Sequence, residues 1–201
     1  TTVSRDELAQ TNAALENQIA ERQLAERKVH EQLERLNLLQ QITRSIGERQ
    51  DLRSIFQVVV RSLEEQLPID FSCICLYEPS QHALQVTCVG VRSEALAQSF
   101  MMSEHAHIPI DENGLSSCVR GKLVYEADIA GVAFPFPQRL AQGGLRALVM
   151  APLLAENTVF GILIVARRAA NSFTSGECEF LSQLSEHVAL AANQAQLYGA
   201  L

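Results

Sequence analysis

Few residues in this chain are spaced for chemistry, and each small group has a plainer reading beside the chemical one. Cys73-Ile74-Cys75 puts two thiols on one face of an extended segment, as a metal or redox pair would need. No second cysteine pair follows at zinc-site spacing, so these thiols read as small buried hydrophobes. His105 and His107 stand two apart; a haem or non-haem iron site would use one of them with partners such as Cys88, Cys118 or Asp128. Exposed loop histidines are the simpler reading. Cys118 has Arg120 and Lys122 close in sequence, cations that would favour a reactive thiolate. Catalytic signatures are missing. There is no glycine-rich phosphate loop and no histidine-glutamate metalloprotease pattern, and Gly114-Leu115-Ser116-Ser117 lacks the closing glycine of a nucleophile elbow. The expected role is regulatory, not enzymatic, with no metal assigned.

The elements that would carry these residues begin with a helix from about Leu8 to Gly47, free of proline and dense in Ala, Glu, Gln, Arg and Leu. Leu8, Leu15, Arg22, Val29 and Leu36 fall on heptad position d, and Asn12, Ile19, Glu26 and Leu33 on position a. So narrow an apolar seam predicts a parallel coiled-coil homodimer, its register set by the polar Asn12, Arg22 and Glu26. The competing reading is a lone solvated helix lying along a domain. After Gly47, Leu52, Ile55, Phe56, Val59, Leu63 and Leu67 mark a second amphipathic helix, which Pro68 stops. Phe71 to Tyr77 and Ala83 to Val91 predict a hairpin, with Leu84, Val86 and Cys88 on one face. A short helix at Ser93 to Met102, a strand at Ile108 to Ile110, a turn at Asp111 to Gly114, a helix at Leu115 to Arg120 and a strand at Leu123 to Glu126 follow. Asp128 to Gly144, with Pro135, Pro137 and the pair Gly143-Gly144, reads as irregular and as the ligand-covering loop. Arg146 to Leu154 and Val159 to Arg168 form a second hairpin. Thr174-Ser175-Gly176-Glu177 is a capping box opening a last helix, with Phe180, Leu184, Val188, Ala191, Ala195 and Tyr198 on one face and no stop signal.

Composition narrows the class. Of 201 residues, 47% are hydrophobic and 19% charged, so the chain should fold, with a single core expected within about residues 50 to 180. Net charge is −7 with no basic run interleaved with aromatics, which argues against a nucleic-acid partner. No long apolar stretch or signal-peptide layout is present, so a cytoplasmic location without membrane contact by these residues is expected. A membrane anchor of the parent protein would lie outside them. The five cysteines, odd in number and set in apolar segments, read as reduced.

Long helix, hairpin, short helices, second hairpin and long helix, in that order, resemble the GAF domain. The most similar residues are Ile108-Pro109-Ile110 through Gly114-Leu115, Gly121-Lys122-Leu123-Val124, Ala147 to Leu154, Val159-Phe160-Gly161-Ile162-Leu163 and Phe173-Thr174. The resemblance implies an α+β, PAS-related fold: a central antiparallel twisted sheet with helices on one face and a pocket on the other. It implies residues 1–47 as a signalling coiled coil, 48–195 as the GAF domain and 196–201 as the start of a linker to an output domain. The heptad segment and Leu184 to Tyr198 are similar to helices of bacterial two-component sensor histidine kinases, less often of diguanylate cyclases. The implied role is a dimeric sensory module that binds a small ligand or relays an upstream signal. Its pocket would be lined by Cys88, His105, His107, Cys118, Tyr125, Asp128, Phe134, Phe136 and Arg139. A ligand-free relay, its cavity filled by Pro135-Phe136-Pro137, is the alternative, and a redox or metal sensor the third. No cysteine is followed by histidine, so a covalent bilin is not expected, and Asn171-Ser172-Phe173 with Gly176-Glu177 matches only fragments of the cyclic-nucleotide signature. The cysteine spacing does not match that of the sulfoxide reductase built on this fold. The cofactor, if any, stays unknown.

Overall fold

A computed structural model describes residues 2–110 and 114–199, with side chains placed for 4–110 and 114–197. The turn expected at Asp111 to Asn113 and the side chain of Tyr198 lie outside these. The chain divides into two units, one up to Leu38 and one from Leu39 onward. Helix α1 (Thr2–Gly47) contributes to both. In the first unit Leu8, Leu15, Ile19, Val29, Leu33 and Leu36 are each between 49% and 60% exposed, with Asn12, Arg22 and Glu26 exposed beside them. In the second, Leu39, Ile42 and Ile46 are buried, so the last turns of α1 are part of the globular unit.

Helix α2 (Leu52–Gln66) starts where the Asp51 carboxylate accepts the Ser54 N–H at 2.9 Å and stops before Pro68. A sheet of six antiparallel strands follows: β1 (Phe71–Glu78), β2 (Ala83–Val89), β3 (His107–Pro109), β4 (Val124–Glu126), β5 (Ala147–Ala155) and β6 (Thr158–Arg167), ordered β3-β2-β1-β6-β5-β4. The β5–β6 hairpin closes through Glu156 and Asn157, both at positive φ, the geometry whose twist suits a two-residue loop. Strands β1, β5 and β6 are buried on both faces, because each face is covered. Ser72, Ile74, Val149, Leu163 and Val165 face the long helices α2 and α6 (Ser175–Gly199). Cys73, Cys75, Leu148, Met150, Ile162 and Ile164 face the opposite way, into a core closed by three short helices, α3 (Glu94–Ser99), α4 (Gly114–Val119) and α5 (Pro135–Gln142). The α+β architecture expected from the sequence is present, with its two long helices together on one face.

The segment read as an irregular loop departs from expectation. Residues 128–144 carry a 3-10 turn at Ile129–Gly131 and the helix α5. Pro135 and Pro137, read as breakers, occupy the first and third positions of α5, where backbone N–H groups have no intrahelical acceptor and their loss costs nothing.

Candidate functional site

The sheet face beneath α3, α4 and α5 is where a pocket was expected. Phe136 and Leu140 of α5 enter the core there, against the same cluster as Met102, Leu115 and Ile129. Phe100 meets Phe71 edge-on at 5.6 Å, and its ring occupies the space a Cβ on Gly143 would need, 1.9 Å from the nearest ring carbon. Gly143 therefore exists so that the end of α5 can close over Phe100. Gly143→Ala is expected to lower stability by roughly 1–3 kcal/mol through overpacking, measured by urea denaturation. An unchanged midpoint would mean that Phe100 has room to turn away.

The nine residues proposed from the sequence are dispersed. Cys118 and Phe136 lie in this core, and Phe134 and Arg139 are half-buried on or beside α5. The others do not point there. A β-bulge in the β1–β2 pairing sets Ile74 opposite Cys88 but Cys75 opposite Val86, with Thr87 as the extra residue. Cys88 is thereby turned from the face shared by Leu84 and Val86 to the α2 side, among Val60 and Arg61. Tyr125 pairs with Val149, on the long-helix face, and packs edge-on against Phe173 at 6.0 Å. Asp128 is exposed and accepts the Ala130 N–H at 3.0 Å, capping the 3-10 turn. His105 and His107 are exposed, with His107 Nε2 3.7 Å from a Glu78 carboxylate oxygen.

Thiol chemistry at this site is disfavoured by burial. Burial pushes the Cys118 thiol up to about 12, and neither Arg120 nor Lys122 offsets it, which disfavours the reactive thiolate those cations could have supported. Cys73 and Cys75 share a face as expected, their sulfurs 4.0 Å apart, and the hydrogen bond between the two thiols together with burial holds the Cys73 thiol well above its ordinary value. Among the described residues no three His, Cys, Asp or Glu side chains gather at metal-binding distance.

The densest polar construction lies elsewhere, where β6 ends and α6 begins. Arg167 is 6% exposed. Its Nε donates to the Pro68 carbonyl at 2.7 Å, its Nη1 to the Ser172 carbonyl at 2.6 Å and to Glu177 Oε1 at 3.1 Å, and its Nη2 to the second Glu177 oxygen. The guanidinium also lies 4.1 Å from the centre of the Phe173 ring. Glu177 serves twice: it accepts the Thr174 N–H at 3.0 Å while Thr174 Oγ1 accepts the Glu177 N–H at 3.1 Å, the capping box expected from the sequence. One arginine thus ties β6, the end of α2 and the first turn of α6 together. Sequence reasoning missed it; the available signal was an arginine closing a ten-residue apolar strand shortly before a capping box.

Burial alone would raise the Glu177 carboxyl, but the Arg167 hydrogen bond, the Thr174 N–H and the Arg167 charge together hold it below the ordinary carboxylate range. A depressed carboxyl contributes stability that is present above its unfolded value, near 4.5, and is lost as pH falls through the folded value. Glu177→Gln should therefore flatten the fall in melting temperature below about pH 4.5. Parallel acid profiles for the two proteins would deny Glu177 that role.

The family model for the GAF domain matches residues 51–192. The circadian input-output histidine kinase CikA of Thermosynechococcus vestitus is 22% identical over 86% of this chain, which spans 25% of that relative's length. Among solved structures, the GAF domain of a phosphoenolpyruvate-protein phosphotransferase from Coxiella burnetii superposes with a TM-score of 0.70 at 20% identity, over 85% of this chain and 99% of that one. The free methionine-R-sulfoxide reductase of Neisseria meningitidis gives 0.69 at 12% identity, over 84% and 93%. The matched residues begin at the cap of α2, take in all six strands, the Arg167–Glu177 junction and most of α6, and on that match the chain belongs to the GAF domain family.

Proposed function

We propose that this GAF domain is a dimeric signalling relay in a bacterial protein of the sensor histidine kinase type, taking up a movement of α1 and delivering it through α6. The observation that carries the reading is the Arg167–Glu177 junction, which makes the position of the first turn of α6 depend on β6 and on the end of α2. Support for the protein class comes from the likeness to a histidine kinase. Support for a dimer comes from the heptad stripe of α1, whose apolar side chains are about half exposed among the described residues. Helix α6 exposes Leu190 and Leu197, one heptad apart, which suits continuation against a partner helix.

A ligand-controlled sensor is the second reading. Its support is α5, a short helix whose buried Phe136 and Leu140 roof the sheet face on which Leu148 and Ile164 lie, so that a small molecule displacing it would act on the β5–β6 hairpin that ends at Arg167. Such a molecule shifts the relay only by binding its two states unequally. Regulation rather than catalysis fits Cys73 and Cys118, buried thiols held above their ordinary range.

Sedimentation equilibrium of the purified chain is the test. Twice the chain mass at micromolar concentration is expected. A monomer at about 100 μM, well above the concentration where a working dimer dissociates, would end the relay reading.

A further inference from the structure

Between α2 and the segment Val91 to Glu104 a cleft opens that the relay does not use. It has a volume of about 280 Å³ and presents Arg53, Gln57 and Arg61 from α2, Thr87 from β2, and Glu94 and Glu104. A second hollow of about 290 Å³ shares Val89, Glu94 and Glu104 with it and adds Gln98 and Ser103. The cleft follows from the sheet edge. Strand β3 pairs only with Ala83 to Gln85, and after two backbone bonds between Val86 and residues 105 and 106 the chain leaves β2, so its last residues line open space.

The walls are fixed before anything binds. Glu64, buried on α2, accepts the Ser93 hydroxyl at 2.8 Å and the Arg92 N–H at 3.1 Å, and the Arg92 guanidinium donates to the Glu64 carbonyl at 3.1 Å. Gly90 has no room for a Cβ, which would fall 1.8 Å from the Glu64 carboxylate. These contacts hold the Gly90 to Glu94 segment against α2. On the other side Arg53 Nη2 lies 2.8 Å from Glu104 Oε1, joining α2 to the loop before β3. A frame fixed in advance spares a ligand the cost of ordering it.

Charge is sorted across this frame: guanidinium groups stand on the α2 side, and the carboxylates on the segment facing it. Two arginines face two glutamates: Arg53 pairs with Glu104, Arg61 makes an exposed 3.2 Å pair with Glu65 on its own helix, and Glu94 has no ion-pair partner among the described residues. A dianion would meet Glu94 and Glu104, and a polyamine would meet Arg53 and Arg61. Among the described residues no aromatic ring lines the cleft to stack a base, and its volume falls just below the usual range of ligand sites, about 300–1,000 Å³. From this we infer that the cleft binds a free α-amino acid. Its carboxylate lies toward Arg53 and Arg61, its ammonium toward Glu94 and Glu104, and its side chain against Val60, Val89 and Val91.

The test is saturation-transfer NMR on the full chain with the twenty free L-amino acids in mixture, followed by titration calorimetry of those that respond. At least one amino acid is expected to bind. Glu94→Gln is expected to weaken it at least tenfold with unchanged melting temperature, and Arg53→Gln, which also releases Glu104, at least tenfold. The analogue lacking the amine and the analogue lacking the carboxylate should fail to compete, and Phe136→Leu, on the opposite sheet face, should leave the affinity as it was. Silence from all twenty at about 10 mM, where a Kd even in the millimolar range would register, overturns the inference. So does undiminished binding to Glu94→Gln, or equal competition by either analogue. None of these outcomes touches the dimer, which sedimentation tests separately.

Discussion

Arg167→Met is expected to lose on the order of 3–5 kcal/mol of unfolding free energy, the largest single-site effect on this domain. The reason is what the substitution leaves behind. Glu177 would stay partly buried with its cation gone, the Pro68 and Ser172 carbonyls would lose their donors, and the Phe173 ring would lose the guanidinium stacked on it. Arg167→Lys keeps the charge but cannot supply four donor contacts in a planar fork, so it should recover only part of the loss. Combining Arg167→Met with Glu177→Gln should recover another part, because the carboxylate that remained uncompensated is then neutral. Chemical denaturation measures these differences. Hydrogen exchange locates them: protection should fall first at Thr174 to Cys178, the first turn of α6, while the centre of β6 keeps its protection. A loss below about 1 kcal/mol for Arg167→Met would put the junction in the class of surface pairs and remove the observation on which the relay stands.

That junction also marks where reading the sequence reached and where it stopped. The strands and long helices were legible because each rests on a local pattern: the alternation in β2, the three-to-four spacing from Ile55 to Leu63, and Pro68 as a stop. The capping box at Thr174 was legible for the same reason, since both partners lie within one turn. Arg167 was not, because its partners Pro68 and Glu177 come from segments that only the folded sheet brings together. Local pattern misled in two places. Prolines at 135 and 137 suggested a loop, yet in the first turn of a helix they remove N–H groups that had no partner. The alternation of Leu84, Val86 and Cys88 suggested one shared face, and the bulge at Thr87 reversed it for Cys88. The pocket lining expected over the inner face therefore scattered over both faces, with Phe136 and Cys118 placed where expected and Leu140, also from the segment read as irregular, joining Phe136 as the roof.

Ile19→Glu should raise the dimer dissociation constant at least 100-fold. In a parallel coiled coil the two copies of an a residue face each other across the seam, so the substitution replaces an apolar contact with two like charges taken from water. A cost of about 3–5 kcal/mol for unpaired charges corresponds to a factor of about 150 to 4,000. Within a single chain Ile19 is 56% exposed, so the same change should leave the melting of an isolated chain within about 0.5 kcal/mol. The opposite sign is expected at Arg22. Its 3.2 Å pair with Glu26 is exposed and of little worth, and Arg22→Leu would restore an apolar d position, tightening association severalfold. Sedimentation of the three proteins side by side separates the seam from a general loss of structure, because only a heptad interface is weakened by one substitution and strengthened by the other. If Ile19→Glu dimerises as tightly as the unaltered chain, α1 is not the seam, and the apolar stripe from Leu8 to Leu36 must serve a contact other than self-association.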